Sequence, residues 1–449
     1  MVMDMTKGKP MKLLIRFAIP MMIGNLFQQL YNLVDTAVVG RCISSDALAA
    51  VGTTGNVIFF LSTVIMGMCN GAGVTIAQYW GSKRYEDMNR SVAALVKIEE
   101  VLIVVVSVIG TVFAPSILRL IQVPEEILGD SVQYLRICAS MLVFSAAFNA
   151  SGALLRSVGD SKTPLYAMIV ASFTNISLNL VFVLVFHMGV AGVAYATVIA
   201  QLFSALICIV HIYRHREQLH LSRKYLHSDR SMIRILLRMG VPTALQSSMI
   251  SLGGMSVQGL VNTFGTTVMA AYTTVLRIDS VTIQIITSIG AAMSVFTGQN
   301  IGTGNFERIR DGLRKTLFLM VTSSVVLAML VLCFRLPILS IFLNPSTDSA
   351  SIAYGSQYLS IIGIAYMIAG VMNSYLNVIR GSGDVGVTVV TGLSELAGRI
   401  IFAYTLTIPF GVWGIWLATP LSWACGCIIP VVRYYSGRWK SKSLVRDNA

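Results

Sequence analysis

The chain has 449 residues, of which 55% are hydrophobic and 12% charged, where a soluble globular protein carries about 25% charged residues. So much apolar surface rules out a single soluble core. The net charge of +13 raises nucleic acid as a partner, but the basic residues fall in alternate loops with no aromatic-basic stripe beside them, so the expected partner is the lipid bilayer, not nucleic acid.

Apolar runs of about 20 residues match a hydrocarbon layer ~30 Å thick, and regular helix is required because backbone groups facing lipid have no water to bond. Hydropathy and punctuation together predict an all-α integral membrane protein. Its twelve helices are placed at 13–39, 47–79, 91–115, 131–155, 164–187, 190–213, 233–262, 267–299, 315–334, 352–379, 386–408 and 412–434. The first is too long for a signal-peptide core and reads as a retained span. The connections on one side carry 3 Lys and Arg (Arg41, Arg119, Arg335) and those on the other carry 26, so both termini are expected in the cytoplasm of a cell (plasma or inner) membrane protein. The seven scattered cysteines include no Cys-x-x-Cys pair and no His partner at ligand spacing, which argues against a disulfide framework or a zinc site.

A fixed offset within a sequence signals repeated architecture. Leu14 to Pro20 returns as Leu236 to Pro242, Ala77 to Gly81 as Gly298 to Gly302, Arg156 to Asp160 as Arg380 to Asp384, and Gly189 to Gly192 as Gly411 to Gly414. The offsets are 222, 221, 224 and 222. The expected organisation is therefore an N-terminal six-helix bundle over 1–213, a cytoplasmic linker over 214–231 and a C-terminal six-helix bundle over 232–449. Each half has an even number of spans, so the repeats are parallel. Such repeats favour a substrate pathway near mid-membrane, opened alternately to the two sides.

Intramembrane polar residues mark the candidate site, because an ionised Asp at the bilayer centre costs at least ~2.5–3.5 kcal/mol and faces a bundle interior or a wet cavity. The first span places Asn25, Gln28, Asn32 and Asp35 on one face at spacings of three, four and three. The fifth offers Asn175 and Asn179, and the sixth Thr197 and Gln201, each pair one helical turn apart. Together they read as one polar chamber. Asp35 would bind and release a proton there as the chamber alternates between wet and dry; a sodium ion held by Asp, Asn and Thr oxygens is the alternative occupant. The second half is not a copy, since Asp35 maps to Val257. Its intramembrane charges are Arg277, Asp279, Glu395 and Arg399, with Glu395 and Arg399 at i,i+4 in the order that favours an internal ion pair. The seventh span adds Gln246, Ser247, Ser248 and Ser251 after Pro242, where a kink is expected. In the third, Lys97, Glu99 and Glu100 are expected to snorkel.

No enzyme is expected. Gly381 to Asp384 matches the Gly-x-Gly-Asp of intramembrane aspartyl proteases but sits at a predicted cytoplasmic turn beside Arg380. The glycine-rich stretch from Gly298 to Gly304 follows a helix rather than a strand, and neither a Walker sequence nor His-Glu-x-x-His occurs. The histidines (His187, His211, His215, His220, His227) gather mainly near the linker.

The order of Tyr31 to Thr36 after Pro20, the turn Arg156 to Pro164, Gly189 to Thr197, Arg277 through Gly302, and Arg380 to Asp384 resembles the multidrug and toxic compound extrusion (MATE) family, in its bacterial branch that includes the DinF-like proteins. The resemblance spans the whole chain. It implies a V-shaped pair of six-helix bundles, working as a monomer without a cofactor and exporting small organic compounds in exchange for H+ or Na+. In such exporters an Asp of the first helix, an Asn and an Asp of the fifth and a Thr of the sixth form a site in the N-terminal half. Those positions resemble Asp35, Asn175, Asn179 and Thr197, Asn179 standing where the family often has Asp. Relatives with acidic sites in helices 7 and 10 correspond here to Gln246, Asn373 and Asn377. A lipid-linked saccharide flippase of the same broad superfamily is the alternative, but it calls for a strongly cationic cavity, and only Arg136, Arg277 and Arg399 lie at depth.

Overall fold

A computed structural model of the chain describes residues 3–225 and 229–445, so His227 and Arg446 lie outside the described residues. Among the described residues the chain is helical throughout, with no strand. In chain order the helices are α1 (Pro10–Cys42), α2 (Ser45–Gly81), α3 (Tyr85–Val112), α4 (Ala114–Leu120), α5 (Glu125–Ser140), α6 (Leu142–Ser157), α7 (Lys162–Leu180), α8 (Gly189–Arg214), α9 (Arg230–Asn262), α10 (Thr266–Gly302), α11 (Phe306–Ser340), α12 (Ser349–Gly381), α13 (Val385–Phe410) and α14 (Val412–Tyr435). Nine of them are individually long and apolar enough to cross a membrane, α7 with its continuation to Val185.

Two predicted spans are broken helices. The third is α3 with α4, bent by 70°, and the fourth is α5 with α6, bent by 45°. Pro115 explains the first break: it stands in the first turn of α4, where it has no N–H to give the carbonyl one turn back, so the ladder of α3 ends at Phe113 (φ −90°, ψ 9°). With these pairs the count is eleven. The twelfth is α9, whose 33 residues extend about 50 Å at 1.5 Å per residue. Its apolar density is lowered by Arg230, Arg234, Arg238 and the polar run after Pro242, yet the helix continues unbroken through that proline. The ninth span is longer than expected and carries a non-helical residue, Phe334 (φ −108°, ψ 15°). Pro337 lies three positions on and removes the hydrogen bond that would have closed that turn.

The chain separates into two compact units, Met1–Asp4 with Ile19–Ala244, and Met5–Ala18 with Leu245–Ala449. In the first, α7 packs along α8, α6 lies on α8, and α2 touches α3, α5 and α6. The opening turns of α9 belong here, because small residues let backbones approach. A Cβ at Gly71 would lie 2.5 Å from the Gly240 Cα, and one at Gly67 would lie 2.4 Å from the Ala244 Cα. The connector after α8 is pinned to the same unit by Asn89, whose amide donates to the His220 carbonyl (2.9 Å) and accepts from the Ser222 N–H (3.0 Å). In the second unit α13 packs along α14, and α12 lies against α10, α11 and α14. Tyr272, Tyr358 and Trp416 stack nearly parallel across α10, α12 and α14, with Tyr358 and Trp416 centroids 4.5 Å apart.

The repeat is visible in its turns. Gly159 (φ +94°) and Gly383 (φ +93°) occupy the same position after α6 and α12, in a left-handed conformation that costs an L side chain roughly 1–2 kcal/mol.

Candidate functional site

Within the first unit the polar residues form a layer between two apolar clusters. At one end Val38, Val39, Ala47, Val183, Val190, Val193 and Ala194 close together. At the other, Tyr31, Phe148, Leu155, Met168, Ala205 and Cys208 do so. Asp35, Asn175, Asn179 and Thr197 lie between these residues along α1, α7 and α8, so helix spacing carries them into one stratum, in which the asparagines are buried and Asp35 and Thr197 half-buried.

The four converge. The Asn179 amide donates to Asp35 Oδ1 and to Asn175 Oδ1 (3.1 Å). The Asn175 amide donates to Thr197 Oγ1 (3.3 Å), whose hydroxyl reaches Asp35 Oδ2 (3.4 Å). Both asparagines are fully buried, and Asn179 Oδ1 has no hydrogen-bond partner. All hydrogen-bond partners of the Asp35 carboxyl are therefore neutral. A carboxylate so placed is far from charge balance in a low dielectric, and taking up a cation restores it. The donor set suits a proton, or a small hard cation, since carboxylate, amide and hydroxyl oxygens are the ligands such ions take.

Tyr31, one turn before Asp35, extends the layer: its hydroxyl meets the side chains of Gln28 and Gln201. Sequence spacing could have found it, because it shares the Asp35 face. Asn25 is half-buried, whereas Asn32 is exposed and offers its backbone carbonyl to Thr36. Glu99 departs from its expected snorkelling. Lys97 and Glu100 are exposed, but Glu99 is 3% exposed and accepts from the Cys69 thiol at 3.3 Å. It points inward because it shares the helix face of Leu95 and Ile98, both buried.

The second unit gathers its candidates into two places. Gln246 is buried and accepts from Arg380 (2.7 Å), which also donates to Asn377 (3.4 Å). Asn373 and Asn377 turn their amides back onto the carbonyls of Ala369 and Asn373. Further along, Asp279 lies beside Tyr366 and Arg399. The expected Glu395–Arg399 ion pair is not formed: Glu395 Oε1 and Arg399 Nε each lack a hydrogen-bond partner. The Glu395 side chain is packed against Gly426 of α14, and the stem of Arg399 lies over Gly253 of α9, so each is turned toward another helix. Arg277 is exposed. Asp384, from the protease-like motif, is ion-paired with Arg433 (2.6 Å).

The MatE family model matches residues 20–181 and 242–405, two stretches whose starts are one repeat offset apart. The probable multidrug resistance protein YoeA of Bacillus subtilis is 30% identical over 96% of this chain and 94% of its own length. The probable multidrug resistance protein NorM of Thermotoga maritima is 25% identical over 97% and 94%. Among solved structures, MATE in the bent conformation superposes with a TM-score of 0.90 at 21% identity over 97% of this chain and 98% of that one. An outward-facing MATE transporter of the MOP superfamily does so at 0.90 and 22%, covering 97% and 98%. The twelve-helix, two-repeat fold is shared with these structures, and the chain is a member of the MatE family of membrane transporters.

Proposed function

We propose that the chain is a secondary active exporter of small organic compounds, exchanging them for H+ or Na+ by alternating access, with the ion held at Asp35. One observation carries this reading: Asp35 is a half-buried carboxyl whose partners, Asn179, Asn175 and Thr197, are all neutral, so the site is completed by a cation. The names of the relatives, multidrug resistance and multidrug export proteins, support organic compounds as cargo and do not favour a saccharide flippase. The loop charges support a multi-pass cell-membrane protein with cytoplasmic termini. The bundle within 1–213 holds the coupling site, and the one within 232–449 shapes the substrate path through Gln246, Asp279, Asn373, Asn377, Glu395 and Arg399.

Proteoliposomes with separately imposed proton and sodium gradients test this. Wild type should drive efflux with one of them. Asp35→Asn, which preserves shape, should reduce gradient-driven efflux to the level of empty vesicles while the protein stays folded. Undiminished efflux in that variant would remove Asp35 from the mechanism.

A further inference from the structure

The site around Asp35 leaves a second acid of the same unit unused. Glu99 lies midway along α3, fourteen residues from its start, which is about 21 Å along the helix axis. It is 3% exposed, its Oε1 accepts from the Cys69 thiol of α2, and its Oε2 has no partner. Among the described residues, no basic side chain is hydrogen-bonded or ion-paired to it. From α6, Arg156 turns its guanidinium back over Gly152 and lies beside the sulfurs of Cys69 and Cys208. From α5, Arg136 donates to the Thr111 carbonyl about three turns further along. On α3 itself, Lys97 and Glu100 are exposed.

A merely structural group at this place would be better served by an apolar residue, since a half-satisfied polar group is costly at membrane depth. What a carboxyl adds is the ability to exchange a proton. The surroundings suit exchange toward one end: Arg156 lies near Cys69 and Cys208, and beyond it Asp160 is paired with His211 at the turn after α6 (3.3 Å). That turn is on the side predicted to be cytoplasmic.

We propose that Glu99 is a second proton-carrying carboxyl of the first unit, exchanging toward the cytoplasmic end. The proposal rests on the antiport reading above with protons as the coupling ion. In the step, the carboxyl O–H bond breaks, its electron pair stays on the Glu99 oxygen and the proton passes to water. Cys69 continues to donate to the carboxylate so formed, and the reverse step reloads it.

The test uses the full-length protein in proteoliposomes with an imposed pH difference. Glu99→Gln keeps an acceptor for Cys69 and removes the exchangeable proton. With one proton fewer per cycle, the limiting substrate gradient should fall about tenfold per pH unit of driving force. A gradient and pH profile equal to wild type would overturn the proposal. A second measurement needs no variant: dicyclohexylcarbodiimide, which adds to protonated carboxyls in apolar surroundings, should label Glu99 of the wild-type protein, and labelling should decline as pH rises through the range in which transport declines. Failure to label residue 99, or labelling indifferent to pH, also overturns it. The antiport reading fails separately, if wild-type vesicles respond to neither gradient or Asp35→Asn is as active as wild type. A response to sodium alone overturns the Glu99 proposal but not the exporter.

Discussion

Asp35 draws its hydrogen bonds from neighbours of unequal reach. Asn179 donates both to Asp35 and to Asn175, whereas Thr197 reaches Asp35 only at 3.4 Å. A hydrogen bond to a charged group contributes roughly 1.5–3 kcal/mol, or about tenfold to a hundredfold in an equilibrium. Asn179→Leu is therefore expected to weaken gradient-driven efflux by about tenfold or more, and Thr197→Val only a few-fold, measured as initial rates in proteoliposomes. Equal losses in the two variants would mean that the amide holds Asp35 no better than the hydroxyl. These residues were legible because helical spacing puts Asn175 above Asn179 and sets Asp35 on the polar stripe of its helix. Glu99 was not legible, since its partner Cys69 lies 30 residues away on another helix. Nor was the open Glu395–Arg399 pair: i,i+4 spacing permits a bridge, but side-chain direction is decided by the helices packed opposite, here at Gly426 and Gly253.

At the level of helices, hydropathy located every span but not their internal geometry. The bend at α3–α4 and the irregular turn near Phe334 come from single prolines, Pro115 and Pro337, that leave the average apolarity of a span unchanged. Close helix approach was equally hidden, because a glycine in an apolar run looks alike whether or not a neighbour needs the space. Gly71 and Gly52 on α2 make the contrast testable. A Cβ at Gly71 would overlap the Gly240 backbone, while one at Gly52 would meet nothing within 4 Å. Gly71→Val should therefore destabilise the purified protein by at least about 1–3 kcal/mol, the usual cost of overpacking. Gly52→Ala should be neutral or stabilising by up to ~1 kcal/mol, the helix-propensity difference. Thermal unfolding in detergent reads both. If Gly71→Val melts with wild type, α9 can withdraw from α2 without loss.

Across the whole molecule the two repeats share turns and diverge in charge, and the divergence is clearest where each closes on its own last helix. Asp160 and Asp384 follow equivalent left-handed glycines, and each meets a basic residue at the end of the second helix after it. In the first unit that residue is His211, at 3.3 Å from Asp160; in the second it is Arg433, at 2.6 Å from Asp384. The offset of 222 makes 211 and 433 equivalent positions, so the sequence contained the pairing, but recognising it required knowing that each helix end returns to its turn. The two acids differ in what else supports them. Asp160 also accepts from the Lys162 and Thr163 backbone N–H groups and the Thr163 hydroxyl, which would hold its charge if His211 were lost. Asp384, 7% exposed, has Arg433 as its hydrogen-bonded side-chain partner. Removing one member of a buried pair leaves the other uncompensated at a cost of about 3–5 kcal/mol, so Arg433→Ala should approach that loss in the thermal or denaturant unfolding of the second unit. His211→Ala should cost only about 1 kcal/mol, the value of one net hydrogen bond. The double variant Asp384→Asn with Arg433→Ala should recover much of the stability lost in Arg433→Ala, because no charge is then left unpaired. If it recovers nothing, the pair holds the turn by shape, not by charge.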